Sequence, residues 1–324
     1  MFKTRVTQIL GIEYPIIGGT MQWLSVAKLV AAQSNAGCLG VLSSATHSSK
    51  EDLKKEIRKV KALTDKPFAV NVSLFPSMRP FPVEDVIDAA HEEGVTIIET
   101  SGRSPEPYIE RIRKPGVIHI HKCARVRDAK KAEALGADIV TVVGFECAGH
   151  PSADDVPAMV LIPRVVDAVK VPVVAGGGIA DGRGFVAALA LGAEGVIMGT
   201  RFVATQECEI HQRFKEALEA ADITDTVLVC RSFGEQVRLY RNGLARQILE
   251  MERGGVGLEE ILPLMSGLRG LEAYIKGDLD AGVFPIGQSA GLVKKVKTVK
   301  EVVDDIFDEA RQVWERMAQS RLPG

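Results

Sequence analysis

Eight short apolar runs, each followed by a stretch with helical spacing, recur between residues 15 and 205 of the 324-residue chain. Strands separated by helices cannot pair as hairpins. They call for parallel pairing with helical crossovers, and eight such units favour a closed (β/α)8 TIM barrel over an open doubly wound sheet. The runs are Pro15–Gly18, Leu39–Leu42, Phe68–Val72, Thr96–Thr100, Val117–His121, Ile139–Val143, Val171–Ala175 and Gly195–Met198. Helices are expected at Ser25–Ala36, Ser49–Leu63, Val83–Glu93, near Pro105–Arg113, at Ala124–Leu135, around Pro157–Val169 and at Gly184–Ala190. Their apolar residues recur at three and four positions, as in Val26, Leu29, Val30 or Leu53, Ile57, Val60.

After Thr205 the alternation stops. Glu207–Ala221 reads as a helix and Val227–Cys230 as a short apolar run. Leu239–Glu252, Leu258–Ser266 and Leu271–Lys276 read as helices separated by glycines. Residues 225–296 are therefore expected to form a mostly helical addition over the C-terminal barrel face. Residues 1–224 with 297–324 would make the barrel. The last helix opens on a Thr298–Glu301 capping-box pattern and carries one stripe from Val299 through Ile306, Ala310 and Val313, expected to pack back on the barrel.

Apolar residues make up 46% of the chain, enough for a large core, yet no stretch reaches the ~18 uninterrupted apolar residues of a membrane helix. Forty basic against 42 acidic residues leave a charge of −2, without general attraction to nucleic acid. Five scattered cysteines without a C-x-x-C pair point to reduced thiols in a cytoplasmic protein. The N-terminus reads as lacking a signal peptide.

In a barrel, chemistry sits on the loops at the C-terminal ends of the strands. Gly176-Gly177-Gly178 and Gly199-Thr200 follow the last two runs, where bare backbone N–H groups suit a phosphate. The other candidates there are Gly18–Trp23, Asn71 with Ser73, Lys122, and Glu146–His150. His150, in a glycine-containing polar loop, is the acid/base candidate. Lys122 ends the fifth run, where a lysine inside a barrel calls for an anion. Asn71 and Ser73 face one way and either meet a heteroaromatic ring or cap the barrel mouth. Cys147 lies beside Glu146 and His150, but nothing orients a base toward it, so a nucleophilic role is disfavoured. His119, His121 and His150 are too scattered for a metal site. Asp154-Asp155 are expected to cap the helix near Pro157, and the lysines of 294–300 to form a solvated face. Walker and Rossmann patterns are absent. FMN, a sugar phosphate and a nucleotide monophosphate all remain compatible, and a flavin-free isomerase or synthase barrel stays open.

Five segments narrow this: PIIGGTMQW at 15–23, FAVNVSLFP at 68–76, HKC at 121–123, GFECAGHPSADDVP at 144–157, and AGGGIADGRG with GAEGVIMGTRF in 175–202. Together they resemble the nitronate monooxygenase (2-nitropropane dioxygenase) family of FMN-dependent barrels, nearest the bacterial NADH:quinone reductase subgroup. Two departures stand out. Cys147-Ala148 replaces the usual Ala-Gly, and Gly18-Gly19-Thr20 stands where Gly-Gly-Met is common. The resemblance implies FMN held by the backbone at Met21-Gln22, by Asn71 and Ser73, and by Lys122 at the pyrimidine end of the ring. Gly149 would lie near the ring, and Gly176, Gly177, Gly178, Gly199 and Thr200 would hold the phosphate. His150 would stand at the reactive edge as the catalytic residue. NADH would give a hydride to flavin N5, and two electrons would pass to a quinone-like acceptor. Nitronate monooxygenation with O2 and enoyl-thioester reduction are the alternatives within the family. A homodimer is compatible with the sequence.

Pro76, Pro80 and Pro82 stiffen the segment after the third run. A crowded wall there disfavours the extra phosphate of NADPH. Purified protein reconstituted with FMN should therefore be reduced faster by NADH than by NADPH in anaerobic stopped-flow mixing; equal rates would overturn this preference.

Overall fold

The computed structural model describes residues 3–75 and 81–320. Eight parallel strands form one sheet: β1 (Ile16–Gly18), β2 (Gly40–Ser43), β3 (Phe68–Ser73), β4 (Ile97–Ser101), β5 (Ile118–Cys123), β6 (Ile139–Val143), β7 (Val173–Gly176) and β8 (Gly195–Met198). Each pairs with its sequence neighbour from β2 to β8, and β8 pairs with β1. The remaining seam, β1 against β2, is joined by the Ile17–Leu39 bridge. This is the TIM barrel the alternation predicts.

The inner face is apolar at the start of the strands. Ile17, Leu39, Val41, Ala69, Ile97, Ile120, Ile139, Val174 and Ile197 form one buried cluster with Val6 and Leu10. Those last two come from a short helix, Arg5–Leu10, that the sequence reading left out. Thr4 caps it, and it seals the barrel at the N-terminal ends of the strands. The outer faces carry the helices Ala27–Asn35, Lys50–Leu63, Val83–Glu92, Val126–Ala134, Ala158–Val166 and Gly182–Ala190.

The C-terminal helix Val299–Gln319 starts on the expected Thr298–Glu301 capping box. It lies against Gly182–Ala190 so closely that a Cβ on Gly182 would fall 2.5 Å from the Ala310 nitrogen. Phe307 stands 4.3 Å from the Tyr14 ring and 5.2 Å from that of Phe185. Of the 294–300 lysines, Lys297 and Lys300 pair with Asp305 and Asp304 on this helix.

Three readings need correction. Val227–Cys230 is not an isolated run. Strand β9 (Thr226–Val229) pairs antiparallel with β10 (Val237–Tyr240), so Leu239 lies in a strand and the helix placed at Leu239–Glu252 runs Gly243–Arg253. Its start is set by Asn242, whose side chain accepts from the Ala245 amide. Second, Leu258–Ser266 is one α turn, Leu258–Ile261, followed by a 3-10 turn, Leu262–Met265; the next helix begins at Gly267 rather than Leu271. Third, the Glu207–Ala221 helix is shorter, Gln212–Ala220, and follows a single turn at Thr200–Val203. The hairpin and the helices after it share their own apolar cluster, including Val229, Leu239, Leu244, Ile248 and Ile261.

Asn242 also donates to the Gly282 carbonyl at 2.8 Å, in a buried setting. Asn242→Ala removes a helix cap and strands a buried carbonyl, so it should cost about 2–3 kcal/mol of unfolding free energy, read by urea denaturation.

Candidate active site

Above the apolar layer, the inward positions turn polar. Parallel register sets Asn71 beside Glu99, Ser73 beside Ser101, and Ser101 beside Lys122, which in turn adjoins Thr141. One oxygen of Glu99 gathers two of these groups and Thr20 from the loop after β1. It accepts from Thr20 Oγ1 at 2.7 Å, from Asn71 Nδ2 at 2.5 Å and from Lys122 Nζ at 3.2 Å. Asn71 also donates to Ser101 Oγ at 3.2 Å. Glu99 is fully buried, so these bonds stand in for the water its carboxylate has given up. A lysine at this depth calls for an anion, and the protein supplies one in Glu99.

The loop after β6 is held from three directions. The Glu146 carboxylate accepts from the Ala158 amide at 3.0 Å and so caps the Ala158–Val166 helix. That role was expected of Asp154-Asp155; instead Asp155 pairs with Arg231. Behind the loop, Gln288 N donates to the Glu146 carbonyl at 2.9 Å, and Gly287 lies so close that a Cβ would fall 2.8 Å from the same oxygen. On the third side, Gly149 and Arg238 exchange backbone bonds, 3.1 and 2.7 Å, which join β10 to the loop one residue before His150. The Arg238 side chain is buried, donates to the Phe145 carbonyl at 3.0 Å and covers the Phe145 ring at 4.9 Å. Gly267, at the start of the next helix, also reaches the loop after β1, where a Cβ on it would fall 2.9 Å from Gln22 Oε1. Residues 225–296 thus border the mouth from two sides.

His150 lies midway along this loop. Its ring stacks on Phe75 with centroids 4.9 Å apart and planes 28° apart. Crowding by protein lowers its pKa from the ordinary value, and the nearby Glu235 carboxylate opposes that shift. The shift favours the neutral imidazole. Burial pushes the Cys147 thiol up to about 12, so it is protonated at neutral pH and a poor nucleophile. His119 and His121 are buried, held neutral by desolvation with values near about 3 and about 4, and both bond the Thr100 hydroxyl at 2.8 Å.

The glycine loops after β7 and β8 adjoin the same mouth. Gly177 and Gly178 have φ of 90° and 74°, and a Cβ on Gly177 would fall 2.8 Å from the Gly144 nitrogen, so only glycine fits. Among the described residues their amides have no acceptor. Gly19 and Gly199 touch, and the Thr200 hydroxyl accepts from the Gly287 amide at 2.9 Å. Met21 N donates to Ser25 Oγ and Gln22 Nε2 to the Ala45 carbonyl, while the Thr20 and Gln22 amides have no acceptor among the described residues. Pro76 and Pro80 of the expected proline wall lie outside the described residues; Phe75 and Pro82 flank them.

A phosphorylated, flat, polar-edged group matches this set of donors. Among the described residues, two buried oxygens in the polar layer, Glu99 Oε1 and Thr141 Oγ1, have no hydrogen-bond partner, and the Gly177 and Gly178 amides have no acceptor. The fit is to a phosphate at one end and a hydrogen-bonding ring at the other, which FMN satisfies.

The sequence profile of the family described as nitronate monooxygenase matches residues 3–309. A hydroxy-methyl-oxo-octahydro-indene-carboxyl-CoA dehydrogenase of Rhodococcus jostii is 32% identical, with 95% of this chain and 96% of the relative covered. A probable nitronate monooxygenase of Staphylococcus saprophyticus is also 32% identical, covering 97% and 99%. Among solved structures, FabK from Thermotoga maritima superimposes with a TM-score of 0.91 at 38% identity, over 98% of this chain and 99% of that one.

Glu235 raises the His150 pKa, so Glu235→Gln should lower it further below the ordinary histidine value, keeping the ring neutral to a more acidic pH. NMR titration of the imidazole checks this, and an unchanged or raised value would remove Glu235 from the site's electrostatics.

Proposed function

The chain belongs to the nitronate monooxygenase family of flavin-dependent oxidoreductases, and from that premise we propose that it is an FMN-dependent, NADH:quinone reductase-like enzyme. The observation that carries this reading is the His150 ring stacked on Phe75 beside a mouth whose buried polar layer is built around Glu99 and Lys122. FMN, when bound, would supply the ring that takes two electrons from NADH and hands them on.

The chain's own residues divide the remaining work. Gly177, Gly178, Gly199 and Thr200 would hold the phosphate with backbone donors. Asn71, Ser73 and Lys122 would meet the polar ring edge, Gly149 would leave room beside it, and the Gln22 amide would close the opposite side. Lys122, tied to Glu99, holds its charge at a fixed point, as favourable electrostatic stabilisation requires. Phe75 offers a flat apolar surface for a planar acceptor. The His150 imidazole hydrogen-bonds an acceptor carbonyl and holds or moves a proton at that oxygen.

A second reading is an enoyl-thioester reductase. It is supported by the Rhodococcus relative, whose name records a CoA thioester. A thioester carbonyl would take the place of the quinone oxygen opposite His150. Nitronate monooxygenation is the third outcome the experiment separates.

Anaerobic stopped-flow tests all three. With FMN bound, NADH should bleach the flavin absorbance, and a benzoquinone should restore it faster than an enoyl-CoA does. Faster recovery with enoyl-CoA establishes the second reading; bleaching by propionate-3-nitronate but not NADH establishes the third. His150→Ala should slow the acceptor step by roughly 10²-fold or more while FMN retention stays intact. Loss of FMN instead would make His150 structural.

A further inference from the structure

We propose that Glu99 is the positioning residue and counter-charge of the ring end of the site, acting through Lys122 and Asn71. This deepens the FMN reading and rests on it. No sequence motif marks Glu99, yet it is the most buried carboxylate of the barrel mouth, at 0% exposure.

Its chemistry is out of place unless it serves the layer above it. A lone carboxylate inside a barrel loses several kcal/mol of hydration. Here a single oxygen, Oε2, receives Thr20, Asn71 and Lys122 together. These groups come from the loop after β1, from β3 and from β5, so Glu99 on β4 ties three other sectors of the mouth into one cage. Lys122 lies half-buried at the rim of that cage, with a side chain 20% exposed against 1% for Glu99. The carboxylate is therefore the inner member and the ammonium the outer, ligand-facing member. Two properties follow. The lysine and the asparagine amide are each fixed by a bond to the same atom, so the ring edge meets preorganised donors. The cation's field at the ring is also partly cancelled by the anion behind it.

The second property gives signs that a merely structural residue would not. Glu99→Gln keeps the shape and an acceptor but removes the negative charge, which unmasks Lys122. The midpoint potential of bound FMN should rise, and sulfite, an anion whose affinity for oxidised flavin reports local positive charge, should bind on the order of tenfold more tightly. Lys122→Met leaves the carboxylate without its cation. Potential should fall, sulfite should bind on the order of tenfold more weakly, and FMN should be retained less well. The double variant should return both quantities toward those of the unmodified protein.

The experiment measures FMN dissociation by fluorescence quenching, then midpoint potential by dye equilibration and sulfite affinity by titration, for the unmodified protein, the two single variants and the double variant. Glu99→Asp is the conservative control, keeping the charge with a shorter reach. It should keep the potential on the unmodified side of Glu99→Gln while weakening FMN retention, and it carries the test if Glu99→Gln does not fold. If the unmodified protein binds no FMN, the functional reading fails. If it binds FMN and the two single variants shift potential and sulfite affinity in the same direction, or not at all, the role of Glu99 is refuted while the functional reading stands.

Discussion

Closure of the parallel sheet is the constraint on which everything else rests. Seven of the eight seams are runs of ladder pairs, and the last, between β1 and β2, is made by Ile17 and Leu39 with two flanking backbone bonds. That seam works because the elements around it come close. Gly18 lies against the buried Gln33 amide, and Gly40 lies where a Cβ would fall 2.2 Å from the Val30 carbonyl. With the ring closed, the C-terminal ends of all eight strands surround one opening. Residues as distant in sequence as Thr20, Glu99, His150 and Thr200 become neighbours of one mouth for that reason alone.

Much of this was legible in the chain itself, and the rest was hidden for definable reasons. The eight units are readable because buried parallel strands are continuous apolar runs and their helices repeat at three and four. The β9–β10 hairpin was not. Val237–Tyr240 contains an arginine, and its leucine also fits the helical pattern that resumes at Leu244, so periodicity merged strand and helix. The cap of the Ala158–Val166 helix was misplaced because Asp154 and Asp155 stand in the usual sequence position, whereas the group that caps it, Glu146, is brought there by the loop fold.

The site shows the same division. The glycine loops, Asn71, Lys122 and the loop carrying His150 could be placed at the mouth by counting strands. Glu99 could not be singled out, because an acidic residue near the end of TIIET looks like a solvated strand terminus. Its signal lies in alternation: Ile97, Glu99 and Ser101 share the inner face, in register with Asn71 on one side and Ile120 and Lys122 on the other. Only with the register known does the carboxylate turn inward and the lysine acquire its partner.

The pair of backbone bonds between Gly149 and Arg238 has a mechanical consequence. Residues 225–296 do not merely rest on the barrel, since one of their strands pairs with the loop that carries His150. Part of the apolar core of residues 225–296 is its own, while Ala273, Tyr274, Phe284 and Ile286 pack into the barrel's cluster. A displacement of the hairpin is therefore passed to the loop after β6 through two backbone bonds, while the loop's other attachments are to the barrel itself.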